Sequence, residues 1–191
     1  MTPISTRLRK FTAPIQSSII VLALASACST LSLAQTAAAD QTNESTLIQI
    51  IKDATAKYQD VKMAEASGYV LQFGCVSGDD FGAMGLHYIN PTLINNAVLD
   101  PTRPQIIIYE PTPGGGRKLI GVDYLLLADP WNANHPSPPQ LMGQMFHLFT
   151  APNRFGLPNF YTLHVWAWKE NPKGAFVNWH SNVSCKSFTG Q

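Results

Sequence analysis

Aromatic residues, histidines and a cysteine are concentrated in FYTLHVWAWKENPKGAFVNWHSNVSC, residues 160–185. It holds three of the four tryptophans, two of the five histidines and the last cysteine of the chain. Alternating side chains at its start predict a β-strand over 160–170 with two different faces. One face resembles core and comprises Tyr161, Leu163, Val165 and Ala167. The other would suit a ligand pocket or a second packed layer, and comprises Phe160, Thr162, His164, Trp166 and Trp168.

The rest of the chain predicts one helix and several further strands. Apolar residues at spacings of three and four predict a single amphipathic helix from Asn43 to Glu65. Strands are predicted over 69–75, 83–90, 105–110, 117–129 and 143–150, and the turn PTPGGG at 111–116 predicts a hairpin. The proline-rich segment 130–140 predicts an ordered loop without regular structure. Together these elements predict an α+β domain, one N-terminal helix packed on an antiparallel sheet of about five to seven strands.

Residues 1–39 have the composition of a bacterial export signal, which we expect to be removed. Three basic residues precede an apolar run over 19–27 that is too short to span a bilayer, and small residues follow. Cleavage is expected after Ala39 or Ala34, with lipidation of Cys28 in LASAC as the alternative. The mature protein would then be a single domain over 40–191 in the periplasm or outside the cell.

Charge and cysteine content narrow the class of protein. Without the three basic residues of the signal, ten basic and 12 acidic residues remain, a net charge of −2 with no basic cluster. Nucleic acid is therefore not expected as a partner. Cys75 and Cys185 form an even pair in a chain bound for an oxidising compartment, which predicts a disulfide between them. Two unrelated buried thiols are the alternative.

Three histidines fall within predicted strands, where their positions would be rigid. His87, His147 and His164 could converge from neighbouring strands, and neutral imidazoles with an open position form zinc or copper sites. Hydrogen-bonded, half-buried histidines are the simpler interpretation of each one alone. His135 and His180 lie outside the predicted strands and are expected to face water.

Two carboxylates interrupt apolar strands and therefore need partners. Glu110 ends IIIYE, and Asp123 lies within LIGVDYLLL. A metal, Arg117, Lys118 or a histidine could each serve, and with His87 and His164 the two carboxylates would make a mixed metal site. Asp123 on a solvent-facing side of the hairpin is the competing interpretation.

Five segments together resemble a widespread family of small, uncharacterised exported bacterial proteins. The segments are ATAKYQDVKMAEASGYV, MGLHYINP, IIIYEP, GVDYLL and LHVWAWKENPKGAF, and the resemblance covers nearly all of residues 50–185. It implies that His87, Glu110, Asp123 and His164 belong to a shared site. His147 matches the family pattern less closely. The resemblance implies no activity, substrate or cofactor.

The leading functional hypothesis is an exported domain that binds a divalent metal, copper or zinc, through His87 and His164 with His147, Glu110 or Asp123. A metal-bound water nucleophile and oxygen-activating copper are the two chemistries that these ligands permit. Motifs for nucleophile elbows, HExxH sites, phosphate loops and dinucleotide binding are absent from the sequence. One alternative is a non-catalytic module that binds a small ligand on an aromatic face formed by Trp166, Trp168, Phe160 and Tyr88. A structural envelope protein is the third.

Overall fold

The computed structural model describes Thr36, residues 40–96 and residues 98–190. The expected export signal and Cys28 fall, apart from Thr36, outside the described residues. Within the described part of the chain, no helix has both the length and the apolar character that crossing a membrane would need.

The N-terminal helical segment is interrupted near its end. Helix α1 occupies residues 40–55, a 3-10 turn follows at Ala56–Gln59, and helix α2 spans Val61–Ala66. Asp60 between them has extended backbone angles, and its carboxylate accepts a hydrogen bond from the N–H of Lys62, which caps α2. The prediction of one continuous helix to Glu65 was therefore wrong in its last turns, because an aspartate cap restarts the helix.

Six antiparallel strands form the main sheet, in the spatial order β1-β2-β3-β4-β8-β7. Their bounds are Val70–Gly78 for β1, Gly82–Ile89 for β2, Ile106–Pro111 for β3, Arg117–Leu127 for β4, His147–Phe149 for β7 and Phe160–Val165 for β8. Strands β5 (Gln140–Leu141) and β6 (Gln144–Met145) form a separate pair, and the short helices are α3 (Pro91–Asn96) and α4 (Ala128–Asn134). The α+β class and the β3–β4 hairpin are confirmed.

Three predicted elements differ from the structure. The segment 130–140 begins inside α4, since Pro130 lies in the first helical turn, where its missing N–H costs no hydrogen bond. The strand predicted over 143–150 is divided between β6 and β7, which belong to different sheets. The strand predicted over 160–170 ends at Val165, after which the N–H of Ala167 turns back to the carbonyl of Val165.

The main sheet is covered on both faces. Helix α1 packs Leu47 and Ile51 on one face, in the larger of two apolar clusters. The smaller cluster lies on the other face under Phe155, Leu157 and Val183, which come from the segments after β7 and β8. The candidate site lies on this second face, beneath chain that has no regular secondary structure.

Two links hold the C-terminal segment on the sheet. Cys185 is bonded to Cys75 of β1, which confirms the predicted disulfide. His180 pairs with Ala83 of β2 through backbone hydrogen bonds in both directions. The described residues after β8, 166–190, are therefore fastened to β1 and β2 even though they contain no strand of their own.

Candidate metal centre

Three buried side chains from three strands meet on the second face of the sheet. His87 of β2, Asp123 of β4 and His164 of β8 are 5%, 2% and 3% exposed. One donor atom from each lies within 4.8 Å of the others, so the group could hold a metal ion. The competing interpretation, in which Asp123 faces solvent, is excluded by this burial.

Strand pairing alone accounts for only part of this convergence. Asp123 and His164 are direct neighbours in the β4–β8 register, while His87 pairs with Ile108 of β3. His87 and His164 are therefore three strand spacings apart, about 14 Å in a flat sheet. Their Nε2 atoms are nevertheless 3.4 Å apart. The sheet must curl strongly to bring them together.

Gly85 fixes which nitrogen of His87 is available. Its carbonyl lies 3.2 Å from Nδ1 of His87, and because a carbonyl only accepts, Nδ1 carries the proton. The lone pair of the neutral ring is then on Nε2, which points at His164. A ligand histidine whose other nitrogen donates to a backbone carbonyl is a common arrangement in metal sites.

The spacing of the two Nε2 atoms suits one shared ion. Two nitrogens bound tetrahedrally at zinc–nitrogen distances lie about 3.3 Å apart. The observed separation is 3.4 Å. A direct hydrogen bond of that length between two imidazoles would be weak. The two rings are therefore spaced as ligands of a single metal, without any rearrangement of the backbone.

Asp123 has hydrogen-bonding partners but no cation. Its Oδ1 accepts a 2.5 Å hydrogen bond from Oγ1 of Thr162, and its Oδ2 lies 3.5 Å from Nδ1 of His164. That Nδ1 is buried and forms no hydrogen bond of good geometry, although the side chain of Asn178 lies near enough to His164 to act against the lowering of its pKa. Within residues 40–96 and 98–190, no lysine or arginine forms an ion pair with Asp123. A buried carboxylate without a cation is costly unless a metal supplies the positive charge.

Burial sets the protonation of all three groups. Desolvation lowers the pKa of His87 to about 4, helped by the positive charge that His164 would carry. Desolvation likewise lowers the pKa of His164 to about 3. It raises the pKa of Asp123 to about 6, against the hydrogen bond from Thr162. Both imidazoles are therefore neutral near pH 7, with lone pairs free for a metal.

A small apolar cavity opens above the three side chains. Its volume is about 20 Å³, which accommodates one water molecule or ion. The floor is formed by the three side chains and Thr162, and the walls are phenylalanine, leucine, isoleucine and methionine side chains. Open coordination positions on a metal would therefore face an apolar space.

Two other predicted ligands lie elsewhere. Glu110 accepts a 2.6 Å ion-pair contact from Lys169 and a hydrogen bond from the N–H of Ser184. This partner was not among those expected, and Glu110 lies outside the three-residue group. His147 is exposed on β7 opposite Thr162, also outside the group, although a charge on it would lower the pKa of His164.

The two remaining histidines differ from each other. His135 is exposed, as expected, and stacks on the ring of Trp131 at 3.7 Å between centroids. His180 is fully buried, so the expectation that it faces water was wrong. Its Nε2 donates to the carbonyl of Glu170 and its Nδ1 accepts from the N–H of Asn182. Both of its nitrogens are satisfied within the protein.

The expected aromatic face does not form. Tyr88 packs against Tyr109 in the cluster beneath α1, on the opposite side of the sheet from Phe160. Trp166 is 3% exposed and donates to the carbonyl of Val177, so it offers no open ring. Trp168, beyond the end of β8, instead donates to Oγ1 of Thr55. Trp168 does not share the face of Phe160 because β8 ends at Val165, so the alternation of side chains does not continue to residue 168.

Thr162 and Gly85 are site residues that the sequence analysis did not identify. Thr162 shares the predicted face of His164 and lies two residues before it, which was an available signal. Gly85 lies two residues before His87 and has a φ of +94°, but its carbonyl contact depends on that backbone conformation. Sequence offers no sign of such a contact.

The fold and the site together define an α+β protein with a buried group of two histidines and one aspartate. Compared with protein-family models, with curated proteins and with solved structures, the chain has no match.

Proposed function

We propose that this chain is an exported metal-binding protein that holds one copper or zinc ion between His87 and His164, with Asp123 supplying the negative charge. The two Nε2 atoms are the nitrogen ligands. Asp123 Oδ2, next to Nδ1 of His164, orients that ring or completes the coordination. The remaining positions face the apolar cavity.

The observation that supports this proposal most strongly is the set of unmatched atoms. With Nδ1 of His87 protonated, its Nε2 can only accept, so Nε2 of His164 would have to donate across 3.4 Å. Nδ1 of neutral His164 would then be a bare acceptor facing the carboxylate of Asp123. A metal between the two Nε2 atoms removes both mismatches, because His164 then carries its proton on Nδ1, where the carboxylate of Asp123 and the side chain of Asn178 are the nearby acceptors.

The donor set narrows the choice of metal. Imidazole nitrogens suit zinc and copper, and the only cysteines among the described residues are joined in the disulfide. Two histidines and a carboxylate also occur around iron(II), so iron belongs in any test. Calcium and magnesium prefer oxygen ligands and fit this site poorly.

The proposed export rests on three observations. Residues 1–39 resemble a signal peptide, Cys75 and Cys185 are joined, and the motifs resemble those of small exported proteins. An oxidising compartment would explain the disulfide, and membership of that family is part of the proposal.

A titration of metal-free protein with copper, zinc and iron(II) tests the function. We expect one equivalent of copper or zinc to bind to the wild type, and His87→Ala and His164→Ala each to lower the affinity by about a hundredfold or more. His135→Ala is the matched control, because His135 is exposed and contacts Trp131, which is not part of the three-residue group. His147→Ala tests whether His147 is a further ligand, in which case metal affinity falls, or only lies near the site, in which case metal affinity is unchanged.

Two results would reject the proposal. One is the absence of a stoichiometric site for all three metals in folded protein. The other is binding that His135→Ala abolishes and that His87→Ala leaves intact, which would indicate a surface site.

A further inference from the structure

The passage to the metal site is apolar throughout. Six of the side chains that line the cavity come from four different parts of the chain, and none carries a charge. They are Phe73, Met84, Phe149, Phe155, Leu157 and Phe160. The only titratable groups on the cavity wall are the three at its floor. A molecule that reaches the metal must therefore pass these apolar side chains.

Phe73 lies at the outer end of this passage because of a bulge in β1. Gln72 pairs with His87 and Cys75 pairs with Leu86, which leaves Phe73 and Gly74 without partners. Phe73 has a φ of +64°, which is uncommon for a residue other than glycine. Its ring is 44% exposed, and its centroid lies 5.3 Å from that of Phe155. The bulge thus turns a large apolar ring over the cavity.

We propose that the metal centre takes a small uncharged ligand, and that Phe73 and Phe155 form the entrance that selects it by size and charge. The inference rests on the proposed function, because the metal provides the atom to which this ligand binds. The ligand class is a neutral molecule of two or three heavy atoms with a single donor atom.

Size and charge both support this class. A cavity of about 20 Å³ has room for about one water-sized group, so a linear ligand on the metal would extend towards Phe73 and Phe155, and a bulkier one would fit only if a ring moved. An anion would have to leave water and pass apolar side chains, which is costly, because the hydroxyl of Thr162 in the lining already donates to Asp123. The guanidinium of Arg154, 6.0 Å from the ring centroid of Phe155, does not line the cavity. A neutral linear molecule of the same size would not meet that cost.

Copper(I)-loaded protein and three infrared probes test the inference. Methyl isocyanide and thiocyanate are both linear with three heavy atoms, but only thiocyanate is charged, while tert-butyl isocyanide is neutral and bulky. We expect methyl isocyanide to bind and thiocyanate to bind at least about tenfold more weakly. We expect tert-butyl isocyanide to bind only after Phe73→Ala or Phe155→Ala.

Phe81→Ala is the matched control, because Phe81 is an exposed phenylalanine in the same part of the molecule that does not line the cavity. It should leave all three probes unchanged. Equal binding of methyl isocyanide and thiocyanate would overturn the selection by charge. Binding of tert-butyl isocyanide to the wild type as tightly as to Phe73→Ala would overturn the role of the entrance.

Xenon in metal-free protein separates failure of the entrance from failure of the metal site. Apolar cavities bind xenon, and Met84 is among the residues that line this one. We expect xenon to shift the methyl resonance of Met84 in Phe155→Ala, and not those of the exposed Met63 and Met145. A protein that binds copper without this response refutes the entrance alone. A response without binding of copper, zinc or iron(II) refutes the metal centre, and with it the proposed ligand.

Discussion

Thr162 determines how Asp123 presents its two oxygens to the imidazoles. Its hydroxyl donates to Oδ1, which leaves Oδ2 facing Nδ1 of His164. This hydroxyl also gives the largest of the contributions that favour the ionised carboxylate against burial, ahead of the backbone hydrogen bond from Leu163. Thr162 is therefore a positioning residue for the metal site.

Replacing this hydroxyl should weaken metal binding without changing the ligands. In Thr162→Val the carboxylate loses a buried hydrogen bond, which should cost about 1–3 kcal/mol of stability. Metal affinity should fall by about tenfold to a hundredfold, measured by competition with a chelator. Thr55→Val is the control, since Thr55 is also buried and hydrogen-bonded but lies elsewhere. An equal loss of affinity in both variants would mean that the effect is only one of stability.

The stability of the metal-free protein should depend on pH in a defined direction. Between about pH 6 and pH 4, the unfolded chain protonates both imidazoles at their ordinary pKa, whereas the folded chain does not. Asp123 acts oppositely, because the folded carboxyl, with a pKa raised to about 6, takes up its proton first. From these three groups the unfolded state therefore binds about one more proton, and their contribution to the free energy of unfolding should fall by roughly 1 kcal/mol per pH unit as pH decreases.

Urea unfolding at several pH values checks this slope. His164→Asn removes one imidazole and should make the slope smaller than that of the wild type by the contribution of about one proton. Burial also lowers the pKa of His180, but that group contributes to both proteins and cancels in the comparison. Identical slopes for wild type and variant would contradict the assigned protonation states.

Three of the five residues predicted from sequence as ligands lie together in the structure, in a group that could hold a metal ion. His87, Asp123 and His164 were recognisable because they interrupt apolar strands. Glu110 interrupts a strand in the same way, and only the course of the C-terminal segment shows that Lys169 neutralises it. The local sequence pattern cannot distinguish a carboxylate that pairs with a lysine from a carboxylate that is available to a metal.

Among the elements, the second strand depends on a glycine next to its ligand. Gly85 has a φ of +94°, and a Cβ atom there would lie 2.6 Å from the carbonyl oxygen of Tyr109. This conformation places the Gly85 carbonyl against Nδ1 of His87. The close approach of β2 and β3 and the orientation of the ligand ring therefore share one cause.

Gly85→Ala should disturb both the close approach of β2 to β3 and the orientation of the His87 ring. We expect a loss of stability greater than that from an unfavourable φ alone, which is about 1 kcal/mol, together with weaker metal binding. Gly114→Ala provides the comparison, because Gly114 has a φ of +79° with no atom within 4 Å of its Cβ position. Similar unfolding midpoints and affinities for the two variants would show that neither the close contact nor the carbonyl is important.

Periodicity predicted most elements but not their ends. The hairpin at 111–116 was predictable because glycine and proline between two apolar, β-rich segments are typical of a tight turn. The break at Asp60 and the end of β8 at Val165 depend on capping and on tertiary contacts with the backbone. For that reason Trp168 was assigned to the wrong face.

In the whole molecule, curvature of the sheet and fastening of the C-terminal segment create the site. Three strand spacings separate the two histidines, and sequence contains no measure of how far a sheet curls. The curl is accompanied by bulges in the β1–β2 and β3–β4 ladders. Alternation could predict which residues share a face, but not that His87 would meet His164.

The disulfide should contribute strongly to stability because it closes a separation of 110 residues. Replacing both cysteines by serine should lower the free energy of unfolding by up to about 4–5 kcal/mol on the chain-entropy model. Urea unfolding measures the loss. Ser184→Ala, next to Cys185, is a control for the substitution of the segment itself. A double serine variant as stable as the wild type would show that the remaining contacts of residues 166–190 hold the segment alone.

The most direct test of the central claim is the metal content of untagged mature protein purified from its own compartment, beside a His87→Ala/His164→Ala double variant. We predict close to one equivalent of copper or zinc in the wild type and almost none in the folded variant. The absence of metal from both proteins after reconstitution, or equal amounts in both, would contradict the account.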